Sequence, residues 1–148
     1  MFQGANQINL DAKGRMAVPA RVREPLTQGG TVGLVLTAHP EGCLLLYPQP
    51  AWEPIRAQVM AFPSLDRQLS NWKRLLVGFA QDVELDGAGR LLITPELRDF
   101  ARITRQVMFV GQGSHYEIWD LEAWKQQLEN LRSGGASSLP PGMENFSL

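Results

Sequence analysis

One pattern occurs twice in this chain. Leu10-Asp11-Ala12-Lys13-Gly14-Arg15-Met16-Ala17-Val18-Pro19 returns as Leu85-Asp86-Gly87-Ala88-Gly89-Arg90-Leu91-Leu92-Ile93-Thr94-Pro95. Asp, Gly and Arg recur 75 positions on, and the proline 76 positions on, so the second copy carries one extra residue near Thr94. A duplication with fixed polar residues constrains the fold more than composition does, because both copies must be accommodated by one architecture.

The local physics of the pattern is that of a tight hairpin. Ile8 and Leu10 alternate with Gln7, Asn9 and Asp11, which suits a strand with one buried face. Asp11 is placed to accept a backbone N–H two residues on, and Gly14 to take the positive φ that the turn needs. Arg15 opens the return strand, with Met16 and Val18 on one face and Arg15 and Ala17 on the other. Pro19 has no N–H for a ladder and ends it. The Asp and Arg read in two compatible ways. They form an ion pair that clamps the turn, or they help hold Lys13 and Arg15 on a rigid loop that meets an anion.

The repeat extends beyond the turn. Tyr47, Ala51 and Trp52 match Trp119, Ala123 and Trp124 at an offset of 72. Each half reads strand, Asp/Gly/Arg turn, strand, short helix, strand, strand, helix. In the first half a single helical turn is expected within 20–26, since Pro25, Gly29 and Gly30 break it. Strands follow at 31–37 and 43–47, the second closed by Pro48 and Pro50. A helix is expected over 51–61 through Trp52, Ile55, Val59 and Phe62. A second helix, capped by Ser64, runs over 65–77 with Leu65, Leu69, Trp72 and Leu76 as its apolar stripe. The second half places a strand through Phe79, Gln81, Val83 and Leu85, another over 91–94, and a helical turn over 96–100. Strands at 107–110 and 116–119 follow, then a helix capped by Asp120 carrying Leu121, Trp124, Leu128 and Leu131. The stripes through Trp52, Trp72 and Trp124 have the spacing of helices packed on something apolar, not of a base-stacking platform. A half of roughly 50 residues buries too little to stand alone, so the halves are expected to intertwine around one core. Residues from 133 on are rich in Gly, Ser and Pro and read as a mobile tail.

Size and charge bound the functional classes. The 148 residues suit one domain or two small ones, and 44% apolar content is enough for a core. No run of 18 apolar residues is present, so no membrane span is expected. The polar start lacks a signal-peptide pattern. Cys43, the only cysteine, lies in an apolar run and reads as a buried thiol, which excludes an intrachain disulfide and points to the cytosol. A net charge of −1 argues against indiscriminate coating of nucleic acid. Residues 1–30, however, carry two more cations than carboxylates, whereas residues 81–105 carry one fewer. If one copy meets phosphates, it is the first.

Catalytic patterns are missing. His39 and His115 have no ligand set around them for a metal. No serine stands in a Gly-x-Ser-x-Gly setting. Gly111-Gln112-Gly113 lacks the third glycine of a dinucleotide loop. Asp86-Gly87-Ala88-Gly89 lies between two strands and reads as a turn. No carboxylate pair is set up for acid–base work. The chain is therefore read as a non-enzyme with no cofactor, no metal and no small-molecule substrate.

Met1-Phe2-Gln3-Gly4-Ala5, the first turn with Pro19, the run Leu44-Leu45-Leu46-Tyr47-Pro48, and the second turn with Leu91-Leu92-Ile93, Pro95 and Arg98 together resemble the MraZ family. The resemblance covers residues 1–131. It implies an α+β, mainly β fold: two tandem AbrB-like swapped-hairpin β-barrel repeats forming one pseudo-symmetric unit with flanking helices. The repeats would span 1–61 and 79–131, with a linking helix at 62–78 and a tail at 132–148. The resemblance further implies a ring-shaped homo-oligomer, octameric or larger, and a bacterial transcriptional regulator located on the nucleoid. Its target would be double-stranded DNA: G-rich direct repeats upstream of its own operon of division and cell-wall genes. The family's Asp-x-x-x-Arg motif falls on Asp11 and Arg15, and again on Asp86 and Arg90. Ala88 stands where the first copy has Lys13, so the second turn lacks a basic tip.

Chemistry and resemblance converge on one set of residues. Lys13 and Arg15 lead the DNA contact, because Arg reads guanine O6 and N7 with two hydrogen bonds. Arg21 and Arg23 add support. Arg90 joins them as a DNA-binding candidate, although with Asp86 it is better suited to holding structure or a subunit contact. Asp11, Gly14, Asp86 and Gly89 shape the loops. The competing reading is an oligomeric, antitoxin-like interaction protein whose basic loops bind a protein partner.

Overall fold

A computed structural model of the chain describes residues 1–134 and 139–148. The first half comprises β1 (Ala5–Asn9), β2 (Arg15–Ala17), α1 (Ala20–Thr27), β3 (Leu34–Ala38), β4 (Leu44–Pro48) and α2 (Gln49–Met60). A connector of α3 (Arg67–Lys73) and a π-helical turn (Arg74–Gly78) follows. The second half comprises β5 (Gln81–Val83), β6 (Arg90–Leu92), α4 (Pro95–Ala101), β7 (Gln106–Gly111), β8 (Tyr116–Asp120) and α5 (Leu121–Ser133). The order of elements is the same in the two halves. The architecture is α+β, with antiparallel sheets and five α-helices among the described residues.

The two halves exchange strands. The main sheet runs β1-β7-β8-β4-β3-β5, and β2 pairs only with β6. Thus β1 of the first half lies on β7 of the second, and β5 of the second lies on β3 of the first. The simple hairpin expected around Asp11 is corrected accordingly. The return strand β2 touches the incoming strand only through the Leu10–Met16 bridge and pairs over three residues with β6 instead. Burial explains this pairing. Met16, Val18, Leu91 and Ile93 are fully buried, in one cluster with Leu36, Leu46, Phe109 and Ile118 from the main sheet. Phe109 and Tyr116 stack inside it at 4.0 Å. Neither half has enough apolar surface to close such a core alone.

A second cluster, Val35, Leu45, Tyr47, Trp52, Val59 and Leu76, fixes α2 and the π turn on the outer face of the sheet. A third, Cys43, Val110 and Trp119, backed by Met108 and Trp124, seats α5.

Several boundaries differ from expectation for local reasons. α1 makes two turns despite Pro25, because Val22 and Leu26 are anchored in the core. β3 starts at Leu34 rather than at residue 31, since Gly29 and Gly30 take positive φ and the loop winds back on Thr27. α2 starts at Gln49, with Pro50 in a first turn where its missing N–H costs nothing. The long helix expected over 65–77 is split. Its cap is Asp66, which accepts from the Leu69 N–H at 3.1 Å, and not Ser64. Leu65 falls before the cap and faces solvent, and the π turn shifts the helical phase so that Leu76 is buried while Trp72 is exposed. The strand expected at 91–94 is shorter, since Thr94 caps α4 and Pro95 opens it. α5 extends to Ser133, and its expected stripe is buried only at Leu121, with Leu128 and Leu131 exposed. The tail expected over 132–148 falls in part on residues 135–138, which lie outside the described residues. No helix among the described residues is long and apolar enough to cross a membrane.

Candidate nucleic-acid interface

Each Asp/Gly/Arg turn is built around its carboxylate. Asp11 Oδ1 accepts the backbone N–H groups of Lys13 and Arg15, both at 2.9 Å, and Oδ2 accepts from Arg15 Nε at 2.7 Å. Asp86 Oδ1 accepts from the N–H groups of Ala88 (2.9 Å) and Arg90 (2.8 Å), and Oδ2 from Arg90 Nε at 2.9 Å. Gly14 and Gly89 close the turns at φ 82° and 75°. These donors stabilise the ionised carboxylates. The Arg15 N–H, foremost, and then the Arg15 side chain and the Lys13 N–H bring Asp11 down to a pKa of about 2, against partial desolvation. The Arg90 N–H leads a similar lowering at Asp86. The ion-pair clamp expected from the sequence is therefore formed in both copies.

Strand exchange then sets the turns side by side. In the β2–β6 ribbon, Arg15 stands opposite Leu92, Met16 opposite Leu91 and Ala17 opposite Arg90. Period-2 alternation sends Met16 and Leu91 into the core and leaves Arg15, Ala17, Arg90 and Leu92 on the outward face. Arg90 Nη1 lies 3.7 Å from Asp11 Oδ2, so the carboxylate of the first turn also faces the arginine of the second. The turns are locked by Ile93 N–H to the Gly14 carbonyl and Val18 N–H to the Gly89 carbonyl, each 3.0 Å. Each arginine is tied at Nε. Among the described residues, neither Nη of Arg15 donates a hydrogen bond. Lys13 stands exposed at the tip of the first turn, where the second has Ala88.

The remaining predicted residues are placed differently. Arg21 Nη2 donates to Asn6 Oδ1 of β1 at 2.9 Å. Arg23 is half-buried: Nε donates to the Val18 carbonyl at 2.8 Å, and its guanidinium rests against Gly89. Its counterpart Arg98 rests against Gly14 in the same manner. Sequence reasoning did not assign Arg98 to the site, yet Arg23 and Arg98 are themselves 75 positions apart, which is the signal that would have found it. Leu92 was missed too, and is 46% exposed between the arginines.

The two copies are not equivalent at their flanks. Leu10 N–H reaches the Arg105 carbonyl and extends the β1–β7 ladder. On the other side β5 stops pairing at Val83, and a cleft of about 640 Å³ opens between Glu84–Gly87 and Gly30–Leu34, with Arg23 in its wall. The crossover from α1 to β3 is two residues longer than that from α4 to β7. Elsewhere, His115 stacks on Tyr47 at 4.4 Å, and burial pushes its pKa down. No group of three or more metal-ligating side chains is assembled among the described residues.

Fold and site thus define a class: a duplicated α+β chain whose halves trade strands and present two arginine-bearing turns on one outward ribbon. The chain belongs to the MraZ family. The family model described as "MraZ protein, putative antitoxin-like" matches residues 1–74 and 76–138, one match for each half. The chain is 60% identical to the Transcriptional regulator MraZ of Methylobacillus flagellatus, 50% identical to that of an Azoarcus species, and 43% identical to that of Nitrosomonas europaea. In each case the match spans 148 residues and all of both chains.

Proposed function

We propose that this chain is a sequence-specific DNA-binding regulator of transcription, and that the β2–β6 ribbon is its reading surface. The observation that carries this is the pair Arg15 and Arg90 on the outward face of a two-stranded ribbon, each held at Nε by its own aspartate. The major groove of B-DNA admits such a ribbon, and an arginine with its Nη groups available is suited to guanine O6 and N7. Lys13 and Arg15 lead the contact, with Lys13 on phosphate. Arg21 and Arg23 support from behind, and Arg90 contributes less to DNA than to the integrity of the paired turns. The names of the relatives as transcriptional regulators favour this reading over an enzymatic one.

The finer reading follows the family resemblance. The repeats 1–61 and 79–131 are AbrB-like swapped hairpins joined by the 62–78 connector. The chain assembles into a ring that repeats the ribbon, and it acts in the cytoplasm on the nucleoid. It binds G-rich direct repeats upstream of its own division and cell-wall operon as a repressor. Several ribbons engaging several repeats gain by effective concentration, which offsets the few cations that each subunit supplies. Exposed Leu65, Trp72, Leu128 and Leu131 give such an assembly apolar surface to bury.

The test is fluorescence anisotropy on DNA from upstream of the protein's own gene, against scrambled DNA, across a salt series. Preferential binding that weakens steeply with salt supports the reading. Absence of preference refutes it, and a salt-insensitive protein partner then becomes the better account, as in antitoxins.

A further inference from the structure

We infer that Arg98 and Arg23 are positioning residues that set the two turns crosswise, the helix arginine of each half holding the turn of the other. The consequence for DNA rests on the reading above, but the placement is testable without DNA.

A Cβ on Gly14 would lie 2.7 Å from Arg98 Cζ and 2.8 Å from its Nη1. A Cβ on Gly89 would collide with Cζ and Nε of Arg23 and lie 2.7 Å from its Cδ. Each turn therefore lacks a side chain at the point where a guanidinium from the opposite half comes to rest. Each glycine carbonyl also accepts an N–H from that opposite half, Gly14 from Ile93 and Gly89 from Val18. Each turn is thus gripped by the residue that follows β2 or β6 and by an arginine five positions later, Ile93 with Arg98 and Val18 with Arg23. The four gripping residues keep the spacing of 75.

The grips differ in one bond. Arg23 Nε closes on the Val18 carbonyl at 2.8 Å. The equivalent Arg98 Nε is buried without a partner. A buried charged donor without an acceptor is costly, and the contact that Arg98 makes in this position is with Gly14. It puts a cation directly beneath the turn that carries Lys13 and Arg15. Arg23 and Arg98 rest on the turn glycines. Both act through the turns, and they couple the geometry of one half to the other.

Carboxyl titrations of Asp11 and Asp86, followed by NMR in the wild type, Arg98→Lys and Arg23→Lys, test the placement. Arg98→Lys is expected to raise the Asp11 midpoint more than that of Asp86, and Arg23→Lys to do the converse. Arg98→Gln removes the guanidinium without touching the turn backbone at Gly14 (φ 82°) and should reproduce the Arg98→Lys pattern, which keeps the test available if one variant does not fold. Shifts confined to the same half, or no shift in either carboxyl, overturn the inference. With DNA, Arg98→Gln, which removes the charge, is expected to lose roughly 5- to 100-fold in specific affinity while the salt slope is unchanged, because no phosphate contact is removed. A slope lower by about one would make Arg98 itself a phosphate ligand and overturn its positioning role. If the wild type binds no DNA, the regulator reading fails, while the crosswise titration still decides the placement.

Discussion

Asp11 and Arg90 come from opposite copies of one repeated motif, yet Arg90 Nη1 stands 3.7 Å from Asp11 Oδ2. That carboxylate already holds Arg15 Nε at 2.7 Å. It therefore ties together the arginines of both turns, and the two turns behave as one surface.

This surface is acid-sensitive in a definite direction. The folded-state pKa of Asp11, about 2, lies below the ordinary carboxylate value, and Asp86 is lowered too. Both contribute stability that is fully present above the ordinary value and is lost as pH falls through the folded one. The backbone amides of Lys13, Arg15, Ala88 and Arg90 should keep their NMR shifts from neutral pH down to about pH 4 and change together with the carboxyls below that. Changes centred near pH 6 would contradict this.

Thr37 is the only fully buried polar residue among those described. Its hydroxyl donates to the Leu76 carbonyl at 2.7 Å, with Leu75 O at 3.3 Å. It pins the π turn to β3. Thr37→Val keeps the shape and removes the bond, and should cost about 1–3 kcal/mol in urea denaturation. A change within error would show that the π turn is held by Leu76 packing alone.

The Cys43 thiol is fully buried, and burial, foremost, with Glu117 and Glu41 nearby, pushes its pKa up. A thiol reagent at pH 8 should leave it unlabelled in the native protein and label it fully in denaturant. Rapid labelling of the native chain would contradict the burial of the third cluster.

The exposed leucines of α5 test self-assembly. Leu128 and Leu131 lie 38% and 60% exposed on one helix. Leu128→Glu with Leu131→Glu should lower the mass seen in light scattering without lowering the melting temperature of the subunit. An unchanged mass would place the assembly surface elsewhere.

Much of this structure was legible in the sequence, for reasons that also explain the misreadings. The repeat spacing gave the element order, and period-2 alternation at Met16 and Val18 gave the buried face of β2. The same residues misdirected its pairing, because local turn chemistry at Asp11 and Gly14 favours a hairpin, whereas core closure across the halves favours β6. Trp72 and Leu128 kept helical spacing but face solvent. Periodicity reports which residues share a face and not what covers it. Arg23 looked like a surface cation, but only the fold shows that Gly89 receives it. Arg98 went unassigned because its partner, Gly14, is far away in sequence.

The central claim is that the ribbon, led by its first turn, reads DNA. It is tested most directly by anisotropy on DNA from upstream of the protein's own gene with Arg15→Ala and Arg90→Ala beside the wild type, after each variant is shown to keep the wild-type mass in solution. The account predicts that Arg15→Ala weakens specific binding by about 1–3 kcal/mol per engaged subunit, with a smaller loss for Arg90→Ala. Wild-type affinity in Arg15→Ala would contradict it.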